Sequence, residues 1–137
     1  MLLEVTDLSV EYATVGSVDH AVNSASFSVD RGEVVGIVGE SGSGKSTATL
    51  AVLGLTRPGG RIVEGSSVKF EGEEMLGRSD SQWRSVRGAR IGLVTQNPRG
   101  AMSPVQRVGE QISAVYRAHI LNVVAIGGLG KSALTWK

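Results

Sequence analysis

A nine-residue glycine-rich segment, residues 39–47, constrains the fold of this chain more than any other feature. It reads Gly-Glu-Ser-Gly-Ser-Gly-Lys-Ser-Thr, which fits the pattern of glycine, any four residues, glycine, lysine, and serine or threonine. The apolar, β-branched residues 34–38 before it predict a strand, and residues 48–55 after it predict a helix. A strand, a glycine-rich loop and a helix in this order are typical of a phosphate-binding site.

The residue types of the loop suit that chemistry. Glycines let successive N–H groups converge on one anion, and the following helix directs its positive dipole end to the same place. We expect Lys45 to reach the β- and γ-phosphates of a nucleoside triphosphate and the Ser46 hydroxyl to bind Mg²⁺. The alternative is a strand-to-helix turn that binds nothing. The predicted cofactor-binding residues of the loop are Gly39, Glu40, Ser41, Gly42, Ser43, Gly44, Lys45, Ser46 and Thr47.

Composition indicates an ordinary soluble domain. The chain has 137 residues, 41% of them hydrophobic, and a formal net charge of +1. Basic and acidic residues nearly balance, which argues against a nucleic-acid partner. The absence of cysteine excludes disulfides. The amino terminus does not resemble a signal peptide, and no apolar run approaches the roughly 20 residues that cross a bilayer. Any membrane role is therefore expected to depend on a partner.

Periodicity predicts the remaining elements. We expect strands over residues 2–12, 21–29, 63–70 and 90–95, and a polar loop over residues 13–20. A short helix over residues 79–86 should begin at Ser79 or Asp80 as its N-cap, and another helix should begin near Val105.

Two side chains outside the loop are candidate site residues. Tyr12, at the end of the first strand, offers an aromatic face on which adenine could stack, or it packs on the loop. Gln96 follows a strand, and its amide could ligate Mg²⁺ or orient a water molecule, or it is a turn residue. His20 and His119 are isolated in the sequence and receive no catalytic role, and Trp83 is expected to be a packing residue.

Three separated motifs resemble those of one family. Residues 36–46 contain the loop, residues 96–98 read Gln-Asn-Pro, and residues 107–112 read Arg-Val-Gly-Glu-Gln-Ile. Together they resemble the ATP-binding subunit of an ABC transporter, in the branch that imports dipeptides, oligopeptides or nickel. The resemblance extends from residue 2 to about residue 118 and agrees in motif order and spacing.

The resemblance implies a fold and a set of partners. The fold would be an α/β P-loop NTPase core, an incomplete ABC-type ATP-binding domain, with an N-terminal antiparallel β portion over the adenine. Tyr12 would be the adenine-stacking aromatic, and Gln96 the glutamine that senses Mg²⁺ and the attacking water. The partners would be transmembrane permease subunits and a second ATP-binding subunit, with the protein peripheral on the cytoplasmic face of the plasma (inner) membrane. The segment after Gln96 would receive the permease.

Other parts of the family pattern are missing. No hydrophobic strand ends in adjacent acids, and neither a Leu-Ser-Gly-Gly-Gln signature nor a switch histidine is found. We therefore expect nucleotide binding without competent hydrolysis by this polypeptide alone, although the family is one of ATPases. Residues 1–118 would be the N-terminal part of the ABC-type domain, and residues 119–137 a divergent tail, consistent with truncation or a frameshift.

Three interpretations remain open at this stage. The first is an importer ATP-binding subunit or its amino-terminal fragment. The second is a stand-alone P-loop phosphotransferase or GTPase, although the guanine-reading Asn-Lys-x-Asp motif is absent. The third is a non-catalytic remnant. A second Gly-Lys-Ser, at residues 130–132, lacks the first motif glycine and is interpreted as a coincidence.

Overall fold

A computed structural model describes residues 1–94, 100, 102–117, 119–126 and 131–135 of the chain. The strands are β1 (Leu3–Thr14), β2 (Ser17–Val29), β3 (Val35–Val38), β4 (Gly60–Ile62), β5 (Ser67–Phe70), β6 (Glu73–Glu74), β7 (Ile91–Val94), β8 (His119–Ile126) and β9 (Lys131–Thr135). The helices are α1 (Lys45–Val52), α2 (Asp80–Val86) and α3 (Val108–Arg117). The chain divides into two compact units, Met1–Arg31 with Gly39–Arg78, and Gly32–Val38 with Ser79–Lys137.

The first unit is an antiparallel sheet that carries α1. Its strand order is β2-β1-β5-β6, and β4 also pairs with β1. Strand β1 is long and central, so most of its apolar side chains are buried, and α1 adds small buried residues that permit close packing on the sheet. The buried side chains include Leu3, Val5, Leu8, Val10, Val29, Ala48, Ala51, Val52, Val68 and Phe70.

The predicted polar loop over residues 13–20 is wrong. Strands β1 and β2 form a hairpin across it, and only Val15 and Gly16 form the turn, with Gly16 at φ +82°. The hydroxyl of Thr14 donates to the carbonyl of Ser17 at 3.0 Å and ties the strand ends together. Residues 13–20 are all exposed. These residues are polar because this part of the hairpin extends into solvent and buries neither face. The alternation of apolar and polar residues, on which strand prediction depends, is therefore missing.

The predicted strand over residues 63–70 is only half correct, because residues 63–66 are not part of a strand. Strand β4 lies before it, at Gly60–Ile62, and β5 occupies only its second half. Gly65 lies between them at φ +93°, a conformation that ends an extended segment.

The second unit contains a four-stranded sheet with the order β3-β9-β8-β7. Strands β7 and β8 are parallel, whereas β9 is antiparallel to both β3 and β8. Strands β3 and β7, which lie within the predicted strands at residues 34–38 and 90–95, belong to this one sheet. They are not adjacent, because two strands from the segment after residue 118 lie between them. Lys131 and Ser132 lie at the start of β9 and not at a helix terminus, which agrees with the interpretation of the second Gly-Lys-Ser as a coincidence.

Helix α2 begins where the sequence predicts it. Ser79 is the N-cap: its hydroxyl accepts from the Gln82 N–H, and the Gln82 side chain accepts from the Ser79 N–H at 2.9 Å. This capping box satisfies two N–H groups that a helix terminus leaves unpaired. Trp83 is 4% exposed and carries the Arg87 guanidinium 4.5 Å from its ring centroid, so its predicted packing role is confirmed.

Candidate nucleotide site

The glycine-rich loop has the backbone geometry that its composition predicts. Gly42 and Gly44 have φ values of +85° and +82°, in the left-handed region that favours glycine. Between them, the N–H of Ser43 donates to the carbonyl of Glu40 at 3.2 Å, which closes a tight turn. Gly44 is also the N-cap of α1, so the loop leads directly into the helix. The helix therefore begins inside the motif, at Lys45, as expected for a helix that directs its N-terminus to the loop.

The glycine-rich loop lies against a β-bulge in strand β2 of the first unit. The pairing of Val10 and Glu11 with β2 skips Ala21, which is the extra residue of the bulge. A Cβ on Gly44 would lie 2.0 Å from the carbonyl oxygen of Ala21. Gly44 is thus required for two independent reasons, its left-handed conformation and its close approach to another strand.

The start of α1 presents unpaired donors. The helix has no side-chain cap and no acidic residue in its first turn. Its first internal bond joins the Ala48 N–H to the Gly44 carbonyl at 2.8 Å. Among the residues that the structure describes, none accepts from the N–H groups of Lys45, Ser46 or Thr47. Donors of this kind at a helix N-terminus fit a phosphate group.

The Lys45 side chain lies across the loop. Its ammonium donates to the carbonyl of Gly39 at 2.9 Å, to the hydroxyl of Ser43 at 3.0 Å and to the carbonyl of Glu40. These acceptors use all three donors of an ammonium group. The loop therefore holds the positive charge at its own centre, beside the unpaired N–H groups of α1.

Tyr12 lies near the end of β1, directly opposite Asp19 on β2 and Gly60 on β4. It is partly buried, and a Cβ placed on Gly60 would lie 2.5 Å from its Cε1 atom. Asp19 is only two residues from Ala21, whose carbonyl approaches Gly44 of the loop. The strand end that bears Tyr12 and the phosphate loop thus belong to one part of the first unit.

Sequence reasoning missed a charged cluster beside Tyr12. Glu11 is only 9% exposed, and its Oε2 accepts from Nε and Nη2 of Arg61 at 3.1 and 2.7 Å. Its Oε1 lies 3.3 Å from Nδ1 of His20. The error over residues 13–20 concealed this cluster, because only the hairpin register brings His20 opposite Glu11. The two-residue turn at Val15 and Gly16 is the signal that could have revealed it.

Of the two predicted Mg²⁺ ligands, Ser46 and Gln96, only Ser46 lies among the residues that the structure describes. Ser46 is partly buried at the start of α1. Within the described ranges no three His, Cys, Asp or Glu side chains are grouped so as to hold a metal ion. Mg²⁺ commonly takes one or two protein ligands and completes its coordination shell with substrate phosphates and water. A site with a single serine hydroxyl is compatible with this coordination. Gln96 lies outside the described residues, and its role stays a prediction.

The second unit has an exposed apolar surface before and along α3. Val105 is 91% exposed, and Val108, Ile112 and Met102 are 56%, 55% and 38% exposed. Gln111 fixes the preceding segment, because its side chain accepts from the Ser103 N–H at 2.8 Å and donates to the carbonyls of Ser103 and Gln106. No helix in the described part of the chain is both long and apolar enough to span a membrane.

The loop, the helix that begins within it and the β layer define a partial P-loop NTPase domain. A sequence model of the family described as "ABC transporter" matches residues 22–135. The chain therefore belongs to the ABC transporter family, as the sequence motifs predict.

Similar proteins carry names from oligopeptide transport. The chain is 48% identical over 118 residues to "Oligopeptide transport ATP-binding protein OppD" of Mycobacterium tuberculosis, covering 86% of this chain and 19% of that protein. It is 42% identical over 119 residues to the protein of the same name from Salmonella typhimurium, covering 87% and 35%. The chain thus spans between a fifth and about a third of the length of these relatives.

A solved structure supports the fold. The dimeric ATP-binding cassette MJ0796, in a post-hydrolysis state bound to ADP and Pi, aligns with a TM-score of 0.69 at 20% identity. The alignment covers 93% of this chain and 51% of that one. The predicted fold class, an incomplete ABC-type P-loop domain with an N-terminal antiparallel β portion, is confirmed.

Proposed function

We propose that this chain binds MgATP at residues 39–47 and is the nucleotide-binding part of an ATP-binding subunit that serves an importer of peptides or similar solutes. The observation that carries the proposal is the set of unpaired N–H donors of Lys45, Ser46 and Thr47 beside the Lys45 ammonium. The oligopeptide transport names of the relatives support the solute class.

Different groups of the site have different proposed roles in binding the triphosphate. Phosphate oxygens take the place of Ser43 and Glu40 as acceptors of the Lys45 ammonium, because charge-assisted bonds are stronger than bonds to neutral oxygens. The N–H groups at the start of α1 donate to the same phosphates. The Ser46 hydroxyl, with Gln96 as the second predicted ligand, holds Mg²⁺, which neutralises phosphate charge. Tyr12 stacks on the adenine ring.

Hydrolysis is proposed to need groups beyond these 137 residues. The sequence holds no strand-end pair of acids and no Leu-Ser-Gly-Gly-Gln segment. In the family, ATP joins two such subunits on the cytoplasmic face of the membrane, and the permease responds. The exposed apolar residues Val105, Val108 and Ile112 support a contact between the second unit and a permease subunit.

The test is a titration of the purified chain with a fluorescent ATP analogue in the presence of Mg²⁺. Saturable binding is expected, and Lys45→Ala should weaken it about 100-fold, the effect of losing roughly 3 kcal/mol of charge-assisted hydrogen bonding. Lys69→Ala, which removes a lysine from β5, is the matched control and should leave the affinity unchanged.

Circular dichroism of both variants should match that of the parent chain. Well-folded Lys45→Ala protein with unchanged affinity would refute the assignment of the loop, and an equal loss in both lysine variants would point to a nonspecific effect of charge. Phosphate release measured in parallel should stay at the background rate.

A further inference from the structure

The backbone conformation of Gly60 does not require a glycine. Its neighbour Gly59 has a φ of +81°, as the third residue of the Arg57–Gly60 turn, but Gly60 itself is not in the positive-φ region. The N–H of Gly60 donates to the carbonyl of Arg57 at 2.9 Å, and β4 begins there. Any residue could adopt this conformation, so the reason for a glycine must be sought in its surroundings.

The surroundings supply that reason. Gly60 is directly opposite Tyr12, and side chains of directly opposed residues lie on the same face of a sheet. A Cβ at position 60 would lie 2.5 Å from Cε1 and 3.0 Å from Cζ of Tyr12, and 3.1 Å from the carbonyl oxygen of Arg57. The tyrosine ring therefore occupies the space that a side chain at position 60 would need.

We propose that Gly60 is a positioning residue for the base of the nucleotide. Because Gly60 has no side chain, the Tyr12 ring packs directly against β4, and adenine stacks on the opposite face of the ring. This inference rests on the proposed function, because it assumes that Tyr12 stacks on the base. Strand β4 is only three residues long, and the next register pair, Glu11 with Arg61, ties it to β1 by a two-pronged ion pair. Glu11, Tyr12, Gly60 and Arg61 together form what we call the adenine wall.

The direction of the response to a substitution follows from these contacts. A Cβ at position 60 cannot move toward Arg57, because a backbone carbonyl lies there. The tyrosine ring is the end of a side chain and can turn, so it is displaced from β4 into the space that the base would occupy. The phosphate loop is not part of this contact and keeps its geometry.

Gly60→Ala tests the proposal with two ligands, ATP and inorganic tripolyphosphate, each with Mg²⁺. The affinity for ATP should fall about tenfold, within the range for loss of one aromatic–base stack, while the affinity for tripolyphosphate stays unchanged. Gly109→Ala is the control, since a Cβ at that helical glycine meets nothing within 4 Å. Tyr12→Ala should reproduce the loss, and adding Gly60→Ala to it should cost nothing further, because the ring is gone.

The outcomes separate this inference from the proposed function. Parent protein that binds neither ligand would overturn the proposed function itself. Parent protein that binds both ligands equally would overturn only the inference, as would a Gly60→Ala variant that loses both ligands or neither. If Gly60→Ala does not fold, a Tyr12→Ala, Gly60→Ala double variant that folds as well as Tyr12→Ala supports the inference, and one that also fails to fold overturns it.

Discussion

The phosphate loop and the adenine wall each contain a glycine whose replacement would bring a Cβ into another part of the first unit, but the two obstacles differ. At Gly44 the obstacle is the carbonyl oxygen of Ala21, 2.0 Å from the added atom, whereas at Gly60 the closest atoms belong to the Tyr12 ring. The backbone of Ala21 lies between the paired residues His20 and Val22, so its carbonyl cannot move far without disturbing those pairs. An aromatic ring can turn at a smaller cost.

The two regions also differ in how the sequence encodes them. The loop is nine consecutive residues, and its shape follows from glycines placed for left-handed conformations. The wall joins residues about fifty positions apart, such as Glu11 and Arg61, through the register of three strands. The difference teaches that the phosphate end of this site is encoded locally and the base end by tertiary structure.

Gly44→Ala should have the largest effect, a destabilisation of about 3 kcal/mol or more, because it adds a backbone clash to a strained φ. Chemical denaturation measures this change. Gly42→Ala is the matched control: its φ is also positive, at +85°, but nothing lies within 4 Å of the added Cβ. That variant should lose only about 1 kcal/mol, the cost of a left-handed alanine. Equal losses in the two variants would show that the contact with Ala21 contributes nothing.

The locally encoded parts were predictable from the sequence. The phosphate loop, its flanking strand and helix, and the Ser79 N-cap each depend on residues within a few positions of one another. The errors arose where distant partners decide the structure. Residues 13–20 form a hairpin that buries no face, so they lack the alternation that marks a strand, and the short β4 owes its existence to pairing with β1.

The segment after residue 118 illustrates the same limit. Strands β8 and β9 complete a sheet with β3 and β7, and the pairing of β7 with β8 joins residues about 28 apart in parallel register, as in Ile91 with His119. Parallel pairing through a crossover leaves little trace in a single sequence. The roles of Tyr12, Gln96 and the loop residues could be predicted as chemistry, and they remain predictions until ligand binding is measured.

Arg61→Met should have an intermediate effect and sharpen the comparison at the wall. It leaves the Glu11 carboxylate without its guanidinium and loosens β4, but the Arg61 side chain is 75% exposed and water screens the pair, so the protein should lose about 1 kcal/mol of stability. The affinity for ATP should fall about threefold, less than the loss of the whole stack, and that for tripolyphosphate should not change. Arg31→Met removes an ion pair with Glu71, near the other end of β1, and serves as the control. Loss of tripolyphosphate binding in Arg61→Met would contradict the separation of the two ends of the site.

The smallest effect is expected at Glu74, on β6, which belongs to neither region. Burial raises the pKa of its carboxyl, but hydrogen bonds from the Ser67 hydroxyl and from the N–H groups of Leu76, Val68 and Met75 outweigh burial and lower the pKa below 4.5. The ionised form is therefore favoured in the folded state. This stabilisation is complete above the pKa of the unfolded chain and is lost as the pH falls through the lower folded value.

Glu74→Gln should accordingly cost less than about 1 kcal/mol at pH 7, because the carboxylate is exposed and screened. The difference in stability between parent and variant should shrink as the pH is lowered below about 4.5, because the carboxyl of the unfolded chain becomes protonated there and that of the folded parent at a lower pH. Denaturation curves at several pH values measure it, and ATP affinity at pH 7 should be identical in the two proteins. A stability difference that grows in acid would mean that the ionised carboxylate opposes folding. A change in ATP affinity would mean that the pairing of β5 with β6 affects the nucleotide site.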